Sequence, residues 1–315
     1  MPENLDKLTS ILEDSNFDGD VFEMEPMSVH TTYKIGGPAS FYIYVNSIEY
    51  LKKILAACKV ANINWTIIGR GSNLLVSDHG YKGIVIMLGR DFKKFEYSDS
   101  VYTVGAAVGL SRIVNDAFRH TYSGFEFAVG TPGTIGGAIK MNAGTKTDWI
   151  GSRVLSVTLV DSNGEVVTKN GNDIDWDYRK SSIKDDEIVL FVDFNVTALS
   201  EDKEKYELKA RMDGILERRR KSQPLNKPCC GSVFKNPSSH SAGMLIEEAG
   251  LKGCKCGDAE VSRKHANFII NRGRATATDV VTLLRHVQSE VYDIFDIKLY
   301  PEVKFLGFDE ECSLW

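Results

Sequence analysis

The segment from Gly130 to Gly144 holds five glycines and a proline within fifteen residues. Glycine adopts backbone angles that other residues avoid and allows other groups to approach the main chain closely. The bare N–H groups of such a segment suit a phosphate or the polar edge of a flat ring. The segment is not a Walker A loop, since no Gly-Lys-Ser/Thr ends it, and it lacks the Gly-x-Gly-x-x-Gly fingerprint. We therefore expect a long glycine loop that binds a nucleotide-type cofactor in an uncommon fold.

Length and charge limit the class of protein. The 315 residues are enough for two domains, and a net charge of −5 leaves no overall footprint for nucleic acid or an anionic membrane. No apolar run approaches the roughly eighteen residues of a membrane span, and the acidic N-terminal sequence is unlike a secretory signal. We therefore expect a cytoplasmic protein that binds neither nucleic acid nor membranes.

The cysteines raise the question of a metal site. Cys229-Cys230 and Cys254-Lys255-Cys256 are closely spaced, but neither pair has the two-residue gap of a zinc knuckle. Reduced thiols are the alternative in a cytosolic protein, and we expect these rather than a metal or a disulfide.

Hydrophobic periodicity predicts two β-containing units before residue 200. The predicted helices there are 4–15, 48–61 and 111–120, the last with Ser111 as N-cap. The predicted strands are 40–45, 65–68, 83–88, 102–106 and 188–197. Asn163-Gly164 predicts a hairpin between 154–160 and 165–168.

A composition shift near residue 200 predicts a domain boundary. A charged helix starts there and ends in the cationic run 218–221, and further helices are expected at 241–249 and 278–295. The last has an apolar stripe typical of a core face, formed by Val280, Leu283, Leu284, Val287, Val291 and Ile294. We predict a lead-in over 1–30, a domain over 31–200 with lobes of about 31–93 and 94–200, and a second domain over 201–315.

A second glycine loop, Ile68–Leu74, lies between two predicted strands. The dinucleotide fold instead rests its phosphate on a helix N-terminus. Main-chain N–H groups together with the side chains of Ser72 and Asn73 could form a nest for a pyrophosphate. Arg70 could add charge or point to solvent, and the loop alone would also fit an ordinary turn.

Three segments together favour one cofactor. Thr31–Gly37 adds a third glycine-containing constituent to the loops at 68–74 and 130–144. Two β-containing lobes, each with a glycine loop, could hold an extended dinucleotide, for which FAD is the candidate. FAD also explains why no acidic ribose-binding residue follows at Rossmann spacing.

At this point the chain resembles the UDP-N-acetylenolpyruvoylglucosamine reductase family, flavoenzymes of peptidoglycan precursor synthesis. The resemblance covers about residues 28–307. It rests on Thr31–Gly37, Ile68–Val76, Gly130–Gly144, Tyr178–Ser181, Gly231–Pro237, Val261–Phe268 and Pro301–Val303. It implies an α+β fold in which a two-lobed FAD-binding domain of the vanillyl-alcohol-oxidase type precedes a C-terminal α+β substrate domain.

The resemblance implies a reaction and its cofactors. In this family NADPH reduces non-covalent FAD, a hydride then adds to C3 of the enolpyruvyl group of a UDP-sugar, and C2 is protonated to give UDP-N-acetylmuramate. Negative charge develops on the neighbouring carboxylate, so a fixed cation lowers the barrier. A proton donor must also stand beside C2.

The resemblance assigns the catalytic roles to three residues. Arg179 matches the arginine that stabilises the enolate-like charge, Glu302 the glutamate that works beside it, and Ser232 the proton donor. Without the motifs, Arg179 would read as a surface residue after a hairpin, Ser232 as a turn residue and Glu302 as the start of an edge strand.

The resemblance also implies binding residues. For FAD these are Lys34, Gly36, Gly69, Arg70, Gly71, Ser72, Asn73, Leu74, Gly130, Thr131, Pro132, Gly133, Gly136, Gly137, Ala138, Asn142, Ala143 and Gly144. For the substrate they are Tyr178, Lys221, Lys235 and Asn236. The cationic run 218–221 could equally complement the dipole of its own helix.

The chain departs from the family pattern at Thr145–Gly151, where flavin contacts transfer less directly. Only Ser181–Glu187 separates the arginine motif from the next strand, which indicates the shorter subtype. Two alternatives stay open: a flavin oxidase of the same superfamily acting on a small alcohol, and a non-enzymatic flavin module. Such oxidases often tether FAD through His or Cys, and neither glycine loop contains one. We expect a monomer.

Overall fold

The computed structural model describes residues 5–98, 100–145 and 147–308 and interleaves helices with mainly antiparallel strands, as in an α+β fold. Its helices are α1 (Leu5–Leu12), α2 (Ile48–Ala61), α3 (Leu110–Arg119), α4 (Ile135–Lys140), α5 (Asp202–Ser222), α6 (Ala242–Glu248) and α7 (Ala277–Phe295). Its strands are β1 (Gly19–Pro26), β2 (Pro38–Val45), β3 (Trp65–Ile68), β4 (Leu74–Val76), β5 (Tyr81–Leu88), β6 (Phe95–Ser98), β7 (Val101–Gly105), β8 (Tyr122–Ser123), β9 (Val154–Val160), β10 (Val166–Asn170), β11 (Trp176–Asp177), β12 (Lys180–Ser181), β13 (Ile188–Asn195), β14 (Thr197–Ala198), β15 (Lys255–Cys256), β16 (Ala259–Val261), β17 (Ile269–Asn271) and β18 (Lys304–Leu306).

The described residues divide into two compact units. Unit 1 consists of the described residues up to 22, 41–69 and 83–216, and unit 2 of residues 23–40, 70–82 and the described residues from 217 onward. No helix in the described part of the chain is long and apolar enough to cross a bilayer. The domain limits expected from composition stay a prediction.

Unit 1 contains one of the two larger sheets and most residues of the other. One has the order β10-β9-β13-β7-β6 and is antiparallel throughout. Another has the order β1-β2-β5-β3, with β3 parallel to β5 so that Trp65 pairs with Ile84. Residues 23–26, 38–40 and 81–82 of that sheet are assigned to unit 2.

Helix α2 has the predicted bounds because its N-cap, its C-cap and its buried apolar face all define the same segment. The Ser47 side chain accepts a hydrogen bond from the Tyr50 N–H, and Asn62 ends the helix in the left-handed conformation. Leu51 and Ile54 are fully buried on its inner face. The predicted hairpin is also confirmed: β9 pairs with β10, and Gly164 at φ 84° turns the chain.

Several predicted element ends are wrong, among them the end of the first helix, which stops at Leu12 and not at residue 15. Helix α3 begins at Leu110 with Gly109 as N-cap, not at Ser111, because backbone pairing of Gly109 with Thr134 fixes the point at which the helix starts. Strand β13 ends at Asn195, because the chain beyond Val196 turns to a different partner and Thr197 pairs with Ser123. Thr197 belongs instead to the separate strand β14.

The glycine segment is not entirely a loop, which is a further correction. Ile135–Lys140 forms α4, with Thr134 as its N-cap. Ile135 and Ile139 are fully buried, so the helix is anchored in the core of unit 1 despite its glycines. The glycines that precede and follow it remain irregular.

Unit 2 is built around α7. Thr276 and Asp279 form a capping box at its start, and Asp78 accepts hydrogen bonds from the N–H groups of Ala277 and Thr278. The predicted stripe is buried from Val280 to Val291 but not at its end, since Ile294 is 53% exposed. Ile294 therefore faces away from the core, whereas Phe295 in the same turn packs against it.

Unit 2 also holds two small sheets. One has the antiparallel order β15-β16-β17, and in the other β18 runs parallel to β4. In that pair Lys304 lies opposite Leu74 and Leu306 opposite Val76. Fully buried Tyr33, Leu75 and Val287 belong to the same core cluster.

Candidate active site

In unit 1, the first glycine of one predicted cofactor loop packs directly on the other loop. A β-carbon placed on Gly69 would lie 2.3 Å from Oγ1 of Thr134, well inside any real contact distance. Glycine is therefore required at residue 69 for sterics alone. The structure thus brings together the end of β3 and the glycine segment, which were predicted to bind the same cofactor.

The start of α4 holds the middle of the glycine segment in place. Oγ1 of Thr134 accepts a hydrogen bond of 3.5 Å from the N–H of Gly137, and the N–H of Gly136 donates to the carbonyl of Ala106 at 2.9 Å. A β-carbon on Gly136 would lie 3.1 Å from that of Ala106. The segment therefore packs at Gly136 against Ala106, just after β7, and Gly137 is exposed to solvent.

The far end of the segment is tied to a hairpin. The buried Asn142 side chain donates to the carbonyl of Asp177 at 3.0 Å and accepts from the N–H of Gly151 at 3.1 Å. The Ser181 hydroxyl donates to the carbonyl of Lys140 at 3.2 Å. The Nδ2 end of the Asn142 amide therefore positions the hairpin β11–β12, and its Oδ1 end positions the turn at Gly151.

Arg179 lies in the two-residue loop of that hairpin. Its Nη1 donates to the carbonyl of Gly144 at 2.7 Å, and its guanidinium carbon lies 5.1 Å from the centre of the Tyr178 ring. Its φ of 59° is a left-handed conformation that is unfavourable for a residue with a β-carbon. The structure therefore holds the predicted catalytic cation against the last residue of the glycine segment.

The stretch that departs from the family pattern forms a tight turn next to Gly144. Gly144 pairs with Trp149, and the N–H of Thr145 donates to the carbonyl of Asp148 at 2.7 Å. Asp148 forms an ion pair of 3.1 Å with Arg153, while burial raises the pKa of Asp148. Residue 146 lies outside the described residues.

In unit 2, the remainder of the second loop packs on the segment Thr31–Gly37. A β-carbon on Gly71 would lie 2.4 Å from the carbonyl oxygen of His30. The backbone N–H of Thr32 donates to the carbonyl of Gly71, and the Thr32 hydroxyl donates to the carbonyl of Cys229 at 2.7 Å. Thr32 thus connects the second glycine loop with the residues that precede Ser232.

The same segment makes close contacts at its glycines. A β-carbon on Gly36, at φ 137°, would lie 2.8 Å from Cβ of Val76, and one on Gly37 would lie 2.2 Å from the carbonyl oxygen of Asp78. Lys34 is exposed and left-handed at φ 59°. Residues 36–37 therefore pack against the end of β4 and the residues after it, while the Lys34 side chain is exposed to solvent.

The residues after Ser232 lie between two other segments of unit 2. The N–H of Glu302 donates to the carbonyl of Val233 at 2.8 Å, and the N–H of Lys235 donates to the carbonyl of Tyr300 at 2.8 Å. On the other side, the N–H of Val233 donates to the carbonyl of Asn267 at 2.9 Å. Ser232 and Glu302 are therefore held at a fixed backbone register, and both side chains are half-buried.

Asn73 holds Glu302 from the second glycine loop. Its side-chain amide donates to the carbonyl of Glu302 at 3.0 Å, and its own carbonyl accepts from the N–H of Lys304 at 3.0 Å. A residue predicted to bind the cofactor therefore also fixes the backbone of a predicted catalytic residue.

Three predicted substrate residues have contacts of their own in unit 2. Lys235 is half-buried, exposed Asn236 accepts from the N–H of Ala242 at the start of α6, and exposed Lys221 forms an ion pair of 3.2 Å with Glu217. The fourth, Tyr178, is 37% exposed and belongs to unit 1.

The cysteine pair before Ser232 is shielded. Burial raises the pKa of the Cys229 and Cys230 thiols, and it also raises that of the fully buried Tyr33 phenol beside Cys230. The cysteines of the described ranges are all free. No group of three or more His, Cys, Asp or Glu in those ranges could hold a metal ion.

Two residues that bond the segments of the candidate site were not among the predicted site residues. Asn267 is buried and bonds the main chain of Phe234, while Lys140 Nζ donates to the carbonyl of Ile183 at 3.0 Å. Asn267 lies in the family motif Val261–Phe268, but nothing in the sequence indicates its partner 33 residues away.

The residues of the glycine segments fit FAD. Gly69 in unit 1 and Gly71 in unit 2 each occupy a place where a β-carbon would collide with the protein, so each of these loops carries bare main chain at that residue. Bare main-chain amides are the groups that bind a pyrophosphate. Neither loop contains the His or Cys that a covalent attachment would need.

Two family models match the chain. The FAD binding domain matches residues 39–170, and the C-terminal domain of UDP-N-acetylenolpyruvoylglucosamine reductase matches residues 223–306. The predicted α+β class is confirmed, with an FAD-binding domain of the vanillyl-alcohol-oxidase type followed by a reductase domain.

Individual relatives match over nearly their whole length. A protein named UDP-N-acetylenolpyruvoylglucosamine reductase from Clostridium novyi (strain NT) is 37% identical over 306 residues, which are 97% of this chain and 97% of the relative. One of the same name from Heliobacterium modesticaldum is 41% identical, over 95% of this chain and 94% of its own. The crystal structure of UDP-N-acetylenolpyruvylglucosamine reductase from Thermus caldophilus has a TM-score of 0.79 at 33% identity, covering 92% of this chain and 99% of that one.

Proposed function

This chain belongs to the UDP-N-acetylenolpyruvoylglucosamine reductase family, and we infer that it reduces UDP-N-acetylglucosamine enolpyruvate to UDP-N-acetylmuramate with FAD as cofactor and NADPH as reductant. It is an oxidoreductase of peptidoglycan precursor synthesis. The oxidase alternative has less support, because the full-length relatives carry the reductase name.

FAD would be held by the glycine loops that meet at Gly69 and Thr134. In unit 1, main-chain amides of the glycine segment such as those of Gly130 and Gly133 would bind its pyrophosphate, since the N–H groups of Thr131, Ile135 and Gly136 already donate to carbonyls of the protein. FAD, when bound, accepts electrons from NADPH and supplies the hydride that adds to C3 of the enolpyruvyl group.

Arg179 would stabilise the negative charge that develops on the substrate carboxylate. Its planar guanidinium suits a carboxylate better than an ammonium group would. The bond from its Nη1 to Gly144 fixes the side chain in advance, so no reorganisation is needed as the charge forms. A left-handed backbone at a non-glycine residue is frequent at functional sites, which also supports this role.

Ser232 would donate the proton to C2, and Glu302 would work beside it. A hydroxyl is a weak acid, so its position relative to C2 decides the rate. The bond between the N–H of Glu302 and the carbonyl of Val233 keeps the two residues at one register. We propose Lys221, Lys235, Asn236 and Tyr178 as substrate contacts, and a cytoplasmic monomer as the working form.

The observation that carries the proposal is the contact between Arg179 and Gly144, because it joins the predicted catalytic cation to the predicted FAD loop. The test is to purify the protein, record its flavin absorbance and follow NADPH oxidation with and without UDP-N-acetylglucosamine enolpyruvate. We expect a yellow protein with a dissociable flavin and substrate-dependent oxidation of NADPH. Colourless protein that stays inactive after FAD addition would contradict the proposal, and oxygen consumption driven by a small alcohol would favour the oxidase.

A further inference from the structure

Asn267 is a buried polar residue of unit 2 that has no role in the proposed chemistry. It is 3% exposed and follows the half-buried His265 by two residues. Its side chain is directed at the segment that begins with Ser232 rather than at solvent, as two hydrogen bonds to Phe234 demonstrate.

The Asn267 side chain pairs with Phe234 as a strand would. Its Oδ1 accepts from the N–H of Phe234 at 3.0 Å, and its Nδ2 donates to the carbonyl of Phe234 at 2.8 Å. Its backbone carbonyl accepts from the N–H of Val233 at 2.9 Å. One asparagine therefore makes three hydrogen bonds to the two residues that follow Ser232.

The polar main-chain groups of these two residues are thereby all satisfied. The remaining one, the carbonyl of Val233, accepts from the N–H of Glu302. Asn267 and the strand-like segment 300–302 thus hold the main chain from opposite sides, and Ser232 is the residue at which this support ends. Gly231, at φ 83° just before it, supplies no side chain that could restrain the hydroxyl.

We propose that Asn267 is a positioning residue that places the Ser232 hydroxyl for proton donation through its three bonds to Val233 and Phe234. The inference rests on the proposed role of Ser232. A displacement of about 1 Å can cost on the order of a hundredfold in rate, so loss of the side-chain bonds to Phe234 would slow proton donation even in a folded enzyme.

The chain offers a matched control in Asn271. It is also 3% exposed, its Nδ2 donates to the carbonyl of Tyr33 at 3.1 Å, and its Oδ1 accepts from the N–H groups of Gly273 and Ala275. An aspartate there would remove a buried donor in the same way but would leave in place the main-chain bonds of Val233 and Phe234.

The experiment measures two half-reactions by stopped-flow flavin absorbance in the FAD-loaded enzyme: reduction by NADPH, and reoxidation by UDP-N-acetylglucosamine enolpyruvate. We expect N267D to slow reoxidation about 10- to 100-fold with reduction unchanged, and N271D to leave the ratio of the two rates as in the wild type. Asn267→Ser, which removes both side-chain bonds without a buried charge, takes the place of N267D if that variant fails to fold.

The double variant S232A/N267D separates positioning from general destabilisation. If Asn267 acts through Ser232, the double variant reoxidises within about twofold of S232A alone. A multiplicative loss in the double variant, or an N267D rate ratio equal to that of N271D, would overturn the inference while leaving the role of Ser232 standing. A wild-type reoxidation rate in S232A would instead reject the proposed role of Ser232 and the inference with it.

Discussion

The side-chain amide of Asn73 donates a hydrogen bond of 3.0 Å to the backbone carbonyl of Glu302, 229 residues further along the chain. The carbonyl of Asn73 accepts in turn from the N–H of Lys304. A loop expected to bind the cofactor therefore also sets the position of a carboxylate expected to act on the substrate.

Asn73→Ala should slow flavin reoxidation by the substrate even when FAD is saturating. A single hydrogen bond contributes about 1 kcal/mol net, so we expect a loss of roughly fivefold. Stopped-flow measurement of both half-reactions tests this. An unchanged reoxidation rate at saturating FAD would show that the bond to Glu302 has no functional effect.

Gly69→Ala should weaken FAD binding and lower stability, because its β-carbon would lie 2.3 Å from Oγ1 of Thr134. Titration of the apoprotein with FAD and urea unfolding would measure both effects. Thr134→Gly alone should cost only about a few tenths of a kcal/mol as an N-cap change. The double variant should recover most of the loss, and failure to recover would mean that the clash is not the cause.

Arg179→Gly should retain FAD but lose turnover by about a hundredfold or more, as removal of a charge-stabilising group usually does. Because φ at residue 179 is 59°, glycine fits the backbone better than alanine. Urea unfolding should therefore find Arg179→Gly more stable than Arg179→Ala by about 1 kcal/mol. Equal stabilities would argue against the left-handed conformation.

The stability of unit 2 should fall in acid through His265. Burial, with a smaller contribution from Lys252, lowers the pKa of this residue from its usual 6.5. The unfolded state then binds more protons, so the stabilisation is present above about pH 6.5 and is lost as the pH falls through the lower folded pKa. Protonation would also remove the Nδ1 acceptor for the N–H of Asn267.

Urea unfolding of wild type and His265→Gln at pH 8 and at pH 5.5 would test this expectation. The wild type should lose more stability than the variant on acidification. Parallel losses would assign the acid sensitivity to other groups.

Sequence patterns predicted α2 well and missed α4, for physical reasons. Fourteen residues of α2 carry a full apolar face and a serine cap, whereas α4 has six residues and includes two glycines. Each glycine disfavours helix by about 1 kcal/mol, so only tertiary contacts of Ile135 and Ile139 make this turn helical. Periodicity cannot reveal a helix that is held by packing alone.

In the candidate site, too, the sequence predicts some features and leaves others undetected. Arg179, Ser232 and Glu302 were named from motifs, and the roles of these residues stay predictions. The sequence could not reveal that Arg179 bonds Gly144 or that Asn267 bonds Phe234, because each bond joins segments more than thirty residues apart. Such bonds depend on the folded backbone and leave no local pattern.

The parallel pairing of β4 with β18 has a consequence for biosynthesis. Leu74–Val76 leave the ribosome long before their partners Lys304–Leu306 are translated. Leu75, which is buried in the folded protein, therefore lacks its partner strand during synthesis of the more than two hundred residues that follow it. Unit 2 can close only after synthesis has passed residue 306, so until then the nascent chain offers an unpaired apolar strand to chaperones.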